Sequence, residues 1–172
     1  RRTGKTLARA VRDELKFDRL GLRTTWWERF ERAPRRAPPR ARQWLGTFDA
    51  GDVDPSMDLY GGGGLLMSTR DLATFFAALF EGRVFDRPET LREMFWQGPH
   101  RNADRYRLGI FVKRVGDEDF YWHSGLWGTM AYYSPRRRIA VAGVTTNQDG
   151  YRRLLTQVEQ RVGAAPQPVP TQ

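Results

Sequence analysis

Tyr106-Arg107-Leu108-Gly109-Ile110-Phe111-Val112-Lys113 is where the chain changes period. Tyr106, Leu108, Ile110 and Val112 alternate with Arg107, Gly109, Phe111 and Lys113, which predicts a strand. Gly116-Asp117-Glu118-Asp119 reads as a turn, Phe120 to Ser124 as a second strand and Thr129 to Tyr133 as a third. Ser134-Pro135-Arg136-Arg137 has hairpin-turn composition, and Ile139 to Thr146, mostly apolar, is expected to be a central fourth strand. Turns this short imply an antiparallel meander. From about Gly150 to Val162, residues Tyr151, Leu154, Leu155, Val158 and Val162 return to helical spacing, giving a helix able to cover one sheet face.

Upstream, residues 1–100 read as helical and irregular. Leu7, Val11 and Leu15 share a stripe, which predicts a helix over Thr3 to Leu15 with Thr3 as its N-cap. Thr24 to Tyr60 has no clear period. Its Arg32-Ala33-Pro34-Arg35-Arg36-Ala37-Pro38-Pro39-Arg40 run cannot continue a helix and is expected to be an exposed loop, while Trp26, Trp27, Phe30, Trp44 and Phe48 need cover. Gly61-Gly62-Gly63-Gly64 punctuates the chain. Ser68 with Asp71 then has the form of a capping box, opening a helix whose apolar face is Leu72, Phe75, Phe76 and Leu79 and which ends near Gly82. Pro88 starts a shorter helix carrying Leu91, Met94 and Phe95. The fold class is thus α+β: helices and irregular chain over 1–100, about four antiparallel strands plus a helix over 104–163, and a frayed, Pro-rich tail over 164–172.

Composition narrows the chemistry. The 172 residues contain no cysteine, which removes disulfides, zinc–thiolate sites and thiol nucleophiles. His100 and His123 are the only histidines and form no His-x-x-x-His pair, so neither a metal nor another cofactor is expected. The net charge of +9 is nearly all arginine, with Lys5, Lys16 and Lys113 the only lysines. No recognised binding motif accompanies that charge, so nucleic acid is not expected as a partner. No run approaches the roughly 20 apolar residues of a membrane span. The opening Arg1-Arg2-Thr3-Gly4-Lys5 lacks a start methionine, as an internal segment would.

Four segments, in order, carry a resemblance. Thr3-Gly4-Lys5-Thr6-Leu7 leads to Leu20-Gly21-Leu22-Arg23-Thr24-Thr25, with Arg19 where proline is usual. Gly62-Gly63-Gly64-Leu65 precedes Ser68-Thr69-Arg70-Asp71-Leu72 and Phe75. Tyr106-Arg107-Leu108-Gly109-Ile110 follows, then His123-Ser124-Gly125 with Gly128, Ser134-Pro135 and Thr145-Thr146-Asn147. Together they resemble the serine β-lactamase-related family, which includes class C β-lactamases, D-Ala-D-Ala carboxypeptidases, D-aminopeptidases and esterases. The resemblance covers most of residues 3 to 160 and is poorest around 32 to 40.

The resemblance implies that residues 1–172 are the C-terminal part of a single β-lactamase/transpeptidase-like domain. Its Ser-x-x-Lys nucleophile motif and Tyr-x-Asn motif are absent: Ser56, Ser68, Ser124 and Ser134 all lack a lysine three residues on. The missing N-terminal part of the same domain is therefore an expected partner, beside a small-molecule or peptide substrate. The resemblance makes His123-Ser124-Gly125 a substrate-aligning strand at an edge beside the pocket. Gly125 would allow close backbone approach, and the N–H of Leu126 would be one of two oxyanion donors. Ser124 would offer its hydroxyl to the substrate, and Asn147 would face the substrate end. His123 stands where β-lactamases carry lysine and brings less positive charge, which points toward carboxypeptidase, aminopeptidase or esterase action. Gly63 and Gly64 would belong to a pocket wall.

Plainer readings stay open: His123 as a strand residue bonded to a neighbour, Ser124-Gly125 as a bulge, the glycine run as a hinge, and Trp122, Trp127, Tyr132 and Tyr133 as core. The function expected is part of an acyl-enzyme serine hydrolase acting on peptide, amide or ester, inactive alone. The alternative is a non-catalytic module binding cell-wall peptide or an acidic polymer. An extracytoplasmic location follows from the resemblance only.

Overall fold

The alternation of the C-terminal half builds a four-stranded antiparallel sheet with a helix on each face. The structure, a computed structural model, describes residues 3–164; the Pro-rich residues beyond lie outside the described residues. In chain order the elements are α1 (Leu7–Glu14), β1 (Trp26–Trp27), β2 (Trp44–Leu45), β3 (Phe48–Asp49), β4 (Leu65–Leu66), α2 (Thr69–Phe80), α3 (Pro88–Met94), β5 (Phe111–Val115), β6 (Glu118–Ser124), β7 (Thr129–Ser134), β8 (Ile139–Val144) and α4 (Tyr151–Ala164). Strands β5 to β8 lie side by side in sequence order.

Strand β7 shows why the layers form. Met130 and Tyr132 point into a core with Phe120, Val158 and Val162, under α4. Ala131 and Tyr133 point the other way, to Phe76 and Ile110 under α2. Period-two side chains thus feed two cores, and each fully buried valine of α4 contributes about 1.5–3 kcal/mol. Gly143 lets α4 sit close, since a Cβ there would lie 2.8 Å from Leu154 Cδ1. The Tyr132 hydroxyl donates to Glu159 Oε1 at 2.9 Å, tying α4 to the sheet. Burial, then that carboxylate, pushes the Tyr132 phenol far above its ordinary range.

Several expectations change. The first helix begins at Leu7, with Thr6 rather than Thr3 as the cap, its side chain accepting from Arg9 N at 3.3 Å. Tyr106 to Ile110 is not a strand. Gly109 at φ +73° and the bond from Arg107 N to Ile110 O (2.8 Å) fold it into a tight turn, and β5 starts at Phe111. Strand β8 is at the sheet edge rather than central; it is apolar because α2 and α4 both pack on it. Trp27 is buried as required, but Phe30 and Phe48 are exposed. The Ser68 cap holds, accepting from Asp71 N at 3.1 Å. Asp71 does not complete the box: its buried carboxylate instead accepts from Thr24 N, Thr24 Oγ1 and Thr25 Oγ1, each at 2.8 Å. That bond set joins α2 to the segment leading into β1.

Candidate active site

Strand β6 is interior, between β5 and β7, so the expectation that His123-Ser124-Gly125 forms an edge strand is corrected. Its last two residues nevertheless outrun one neighbour. The β5–β6 ladder stops at Phe111↔Trp122, whereas His123 and Ser124 pair onward with Ala131 and Met130 of β7. Gly125 N donates to Thr129 O at 2.9 Å, so its amide faces β7. Because antiparallel strands alternate, the amide of Ser124 faces the opposite side, past the start of β5. The end of β6 is therefore a local edge on an interior strand.

Gly125 to Gly128 close the β6–β7 hairpin. Gly128 N donates to Gly125 O at 3.1 Å, and Gly128 adopts φ +87°, a three-residue loop with a glycine bulge. A Cβ on Gly128 would sit 2.4 Å from Thr145 O, so only glycine fits. Gly125 is crowded from within the fold: a Cβ there would meet Thr129 Oγ1 at 2.7 Å. Leu126, at the tip, is 61% exposed.

His123 is held by ring contacts and two polar neighbours. Its Nδ1 lies 2.8 Å from Ser124 O, and a carbonyl only accepts, so Nδ1 carries a proton. Nε2 faces the Tyr106 hydroxyl at 3.5 Å, and the Phe111 ring lies 5.1 Å away, centroid to centroid. The imidazole is thus turned to its own strand's carbonyl and does not activate Ser124.

The glycine run lies close to this hairpin. Trp127 Nε1 donates to Asp58 Oδ2 at 2.8 Å, and Asp58 O accepts from Gly63 N at 2.7 Å. Gly64, at φ +91°, passes so near Trp27 that a Cβ would be 2.8 Å from the indole nitrogen. Asn147 lies beside the hairpin, and its Oδ1 accepts from Asp149 N at 2.9 Å, capping the turn before α4. It shares a crevice of about 10 Å³ with Leu126, Trp127 and Trp44, room for at most one water.

The structure therefore gathers His123, Ser124, Gly125, Leu126 and Gly63 around one hairpin. Asp58, Gln43 and Tyr106 join them without a sequence signal of their own. Gln43 Nε2 donates to Trp127 O at 3.0 Å, across 84 positions of sequence. Trp122, Tyr132 and Tyr133 are core or line it, whereas Trp127 serves the turn. Among the described residues no cluster of His, Asp and Glu can hold a metal ion, and no helix is long and apolar enough to cross a membrane.

Known structures share this arrangement of elements. The D-amino acid amidase from Ochrobactrum anthropi SV3, complexed with D-phenylalanine, is 18% identical with a TM-score of 0.72, over 96% of this chain and 55% of that one. A penicillin binding protein from Bacillus halodurans is 16% identical with a TM-score of 0.69, over 92% and 51%. EstCE1, a hydrolase with promiscuous acyltransferase activity, is 17% identical with a TM-score of 0.62, over 95% and 51%. The chain spans about half the length of these structures. No curated protein matches it. The Beta-lactamase family model matches residues 1–164, and the chain belongs to that family.

Proposed function

We propose that this chain supplies the substrate-aligning strand and one oxyanion-hole amide of a serine hydrolase that works through an acyl-enzyme on peptide, amide or ester substrates. The observation that carries this reading is the end of β6: His123 and Ser124 extend beyond β5, next to a hairpin tied through Asp58 to the glycine run. An extended acyl group can hydrogen-bond to that local edge as an added strand. The Leu126 N–H then polarises the acyl carbonyl, and the Ser124 hydroxyl takes the substrate's polar end. The nucleophilic serine and its lysine belong to a part of the domain that these 172 residues do not contain. Half an oxyanion hole without a nucleophile lacks the dominant catalytic contributions, so the chain alone is inactive. An extracytoplasmic location for the whole protein is part of this proposal, by analogy with the family alone.

The test compares this chain with the whole protein on a chromogenic ester, a D-amino acid amide and a cephalosporin. Turnover is expected from the whole protein only. In it, Leu126→Pro removes the amide proton at a turn position that accommodates proline and is expected to lower kcat by about 100-fold or more. Unchanged kcat in a folded Leu126→Pro protein refutes the oxyanion role. Turnover by the isolated chain that His123→Ala abolishes refutes the claim of inactivity.

A further inference from the structure

We propose that the arginine-lined hollow between α1 and the 32–40 segment binds a small ligand bearing two or more oxyanion groups, phosphate or carboxylate. The hollow measures about 480 Å³, within the range of small-molecule sites. Arg12, Arg23, Arg35 and Arg36 line it, with Leu22 and Pro34 providing apolar wall. Arg12 is held in place: it forks onto both Glu31 oxygens at 2.9 Å and reaches Thr25 O at 3.1 Å. The lone carboxylate in the lining, Asp18, is bonded to Arg12 Nη1 at 3.0 Å.

The other three arginines are exposed, and none has a carboxylate partner among the described residues. Arg29, Arg40, Arg42, Arg83, Arg92 and Arg114 each reach one, and others such as Arg32 and Arg70 do not; what sets Arg23, Arg35 and Arg36 apart is that they line one hollow together. The three are also positioned by the backbone. Ala37 N donates to Pro34 O at 2.9 Å, a turn whose central residues are Arg35 and Arg36. Arg23 immediately follows Leu22, which is 3% exposed and fixes that end of the wall. Three unpaired guanidinium groups over one concavity suit oxyanions, which the planar fork binds through two parallel hydrogen bonds. None of the residues lining this hollow lines the crevice at Leu126, so the inference stands apart from the hydrolase reading.

Isothermal titration of the full chain at low salt with tripolyphosphate and, separately, citrate tests this. Saturable 1:1 binding of at least one probe is expected, and the tighter of the two identifies phosphate or carboxylate as the natural group. Replacing Arg23, Arg35 and Arg36 with glutamine should weaken binding by about tenfold per arginine. A control triple, Arg92→Gln, Arg114→Gln and Arg136→Gln, removes the same charge elsewhere and should change affinity by less than about twofold if the site is local. Absence of saturable binding by both probes overturns the proposal. Equal weakening by the two triples also overturns it, because a diffuse positive field would then account for the binding.

Discussion

Trp127→Phe removes one donor from the contact that holds the β6–β7 hairpin to the glycine run. In the native chain Trp127 Nε1 donates to Asp58 Oδ2 at 2.8 Å. A hydrogen bond to a charged acceptor contributes about 1.5–3 kcal/mol when well buried. Both residues are half-buried and water can reach the carboxylate once the donor leaves, so the contribution falls to the bottom of that range or just below it, about 1–1.5 kcal/mol for the pair. Phenylalanine also fills less volume, which adds about 1–2 kcal/mol of lost packing that has nothing to do with the bond. A double-mutant cycle separates the two. Equilibrium urea unfolding of the native, Trp127→Phe, Asp58→Ala and double-variant proteins should give single losses whose sum exceeds the loss in the double variant by about 1 kcal/mol or more. Losses that add to within about 0.3 kcal/mol would show that no energetic link joins the hairpin to Asp58, and the coupling of Gly63 to the site would fall with it.

Other perturbations separate fold from site. Gly128→Ala drives a methyl to 2.4 Å from Thr145 O at φ +87° and should cost about 2–4 kcal/mol in urea unfolding, whereas Gly46→Ala, with φ +61° and open space around it, should cost only about 1 kcal/mol. Asp71→Ala strands Thr24 N and Thr25 Oγ1, while Thr24 Oγ1 keeps Ser68 Oγ at 2.7 Å, and should cost about 2–3 kcal/mol, with Asp71→Asn costing less because an acceptor remains; equal losses would contradict the bonding described. Burial alone would raise the Glu31 carboxyl, but the Arg12 fork, the Trp27 amide and the Arg12 charge outweigh it and hold it below its ordinary value. A depressed carboxylate stabilises the fold above its unfolded pKa and loses that contribution as pH falls through the folded one. Native stability should therefore drop from neutral pH into the acid range more steeply than that of Glu31→Gln, and parallel profiles would contradict the pairing.

The parts of the fold that could be read from sequence are those governed by local period. Strand β7 alternates because it feeds two cores, and α4 keeps its stripe because one face meets the sheet. Reading failed where a local pattern served another purpose. Tyr106 to Ile110 alternates like a strand, yet Gly109 turns it. Strand β8 looks central because helices cover both its faces, although pairing leaves it at the edge. Asp71 has capping-box spacing, but Thr24 and Thr25, 47 and 46 positions away, compete for its carboxylate and win. For the site, His123-Ser124-Gly125 is legible only through its order relative to the other motifs. Asp58 was invisible because its partner Trp127 lies 69 positions away and no periodicity spans that distance.

The short β2–β3 hairpin has a reach out of proportion to its length. Gln43 grips the Trp127 carbonyl, and Trp44 N grips Thr146 O at 2.7 Å, so one brace clamps both the hairpin tip and the strand exit beside it. Exchanging residues 43–49 between relatives should re-aim Leu126 without touching β6, while insertions at 35–39 leave it alone. Evolution can thus tune where an amide points by editing a segment that contributes none of the site residues named by the family pattern.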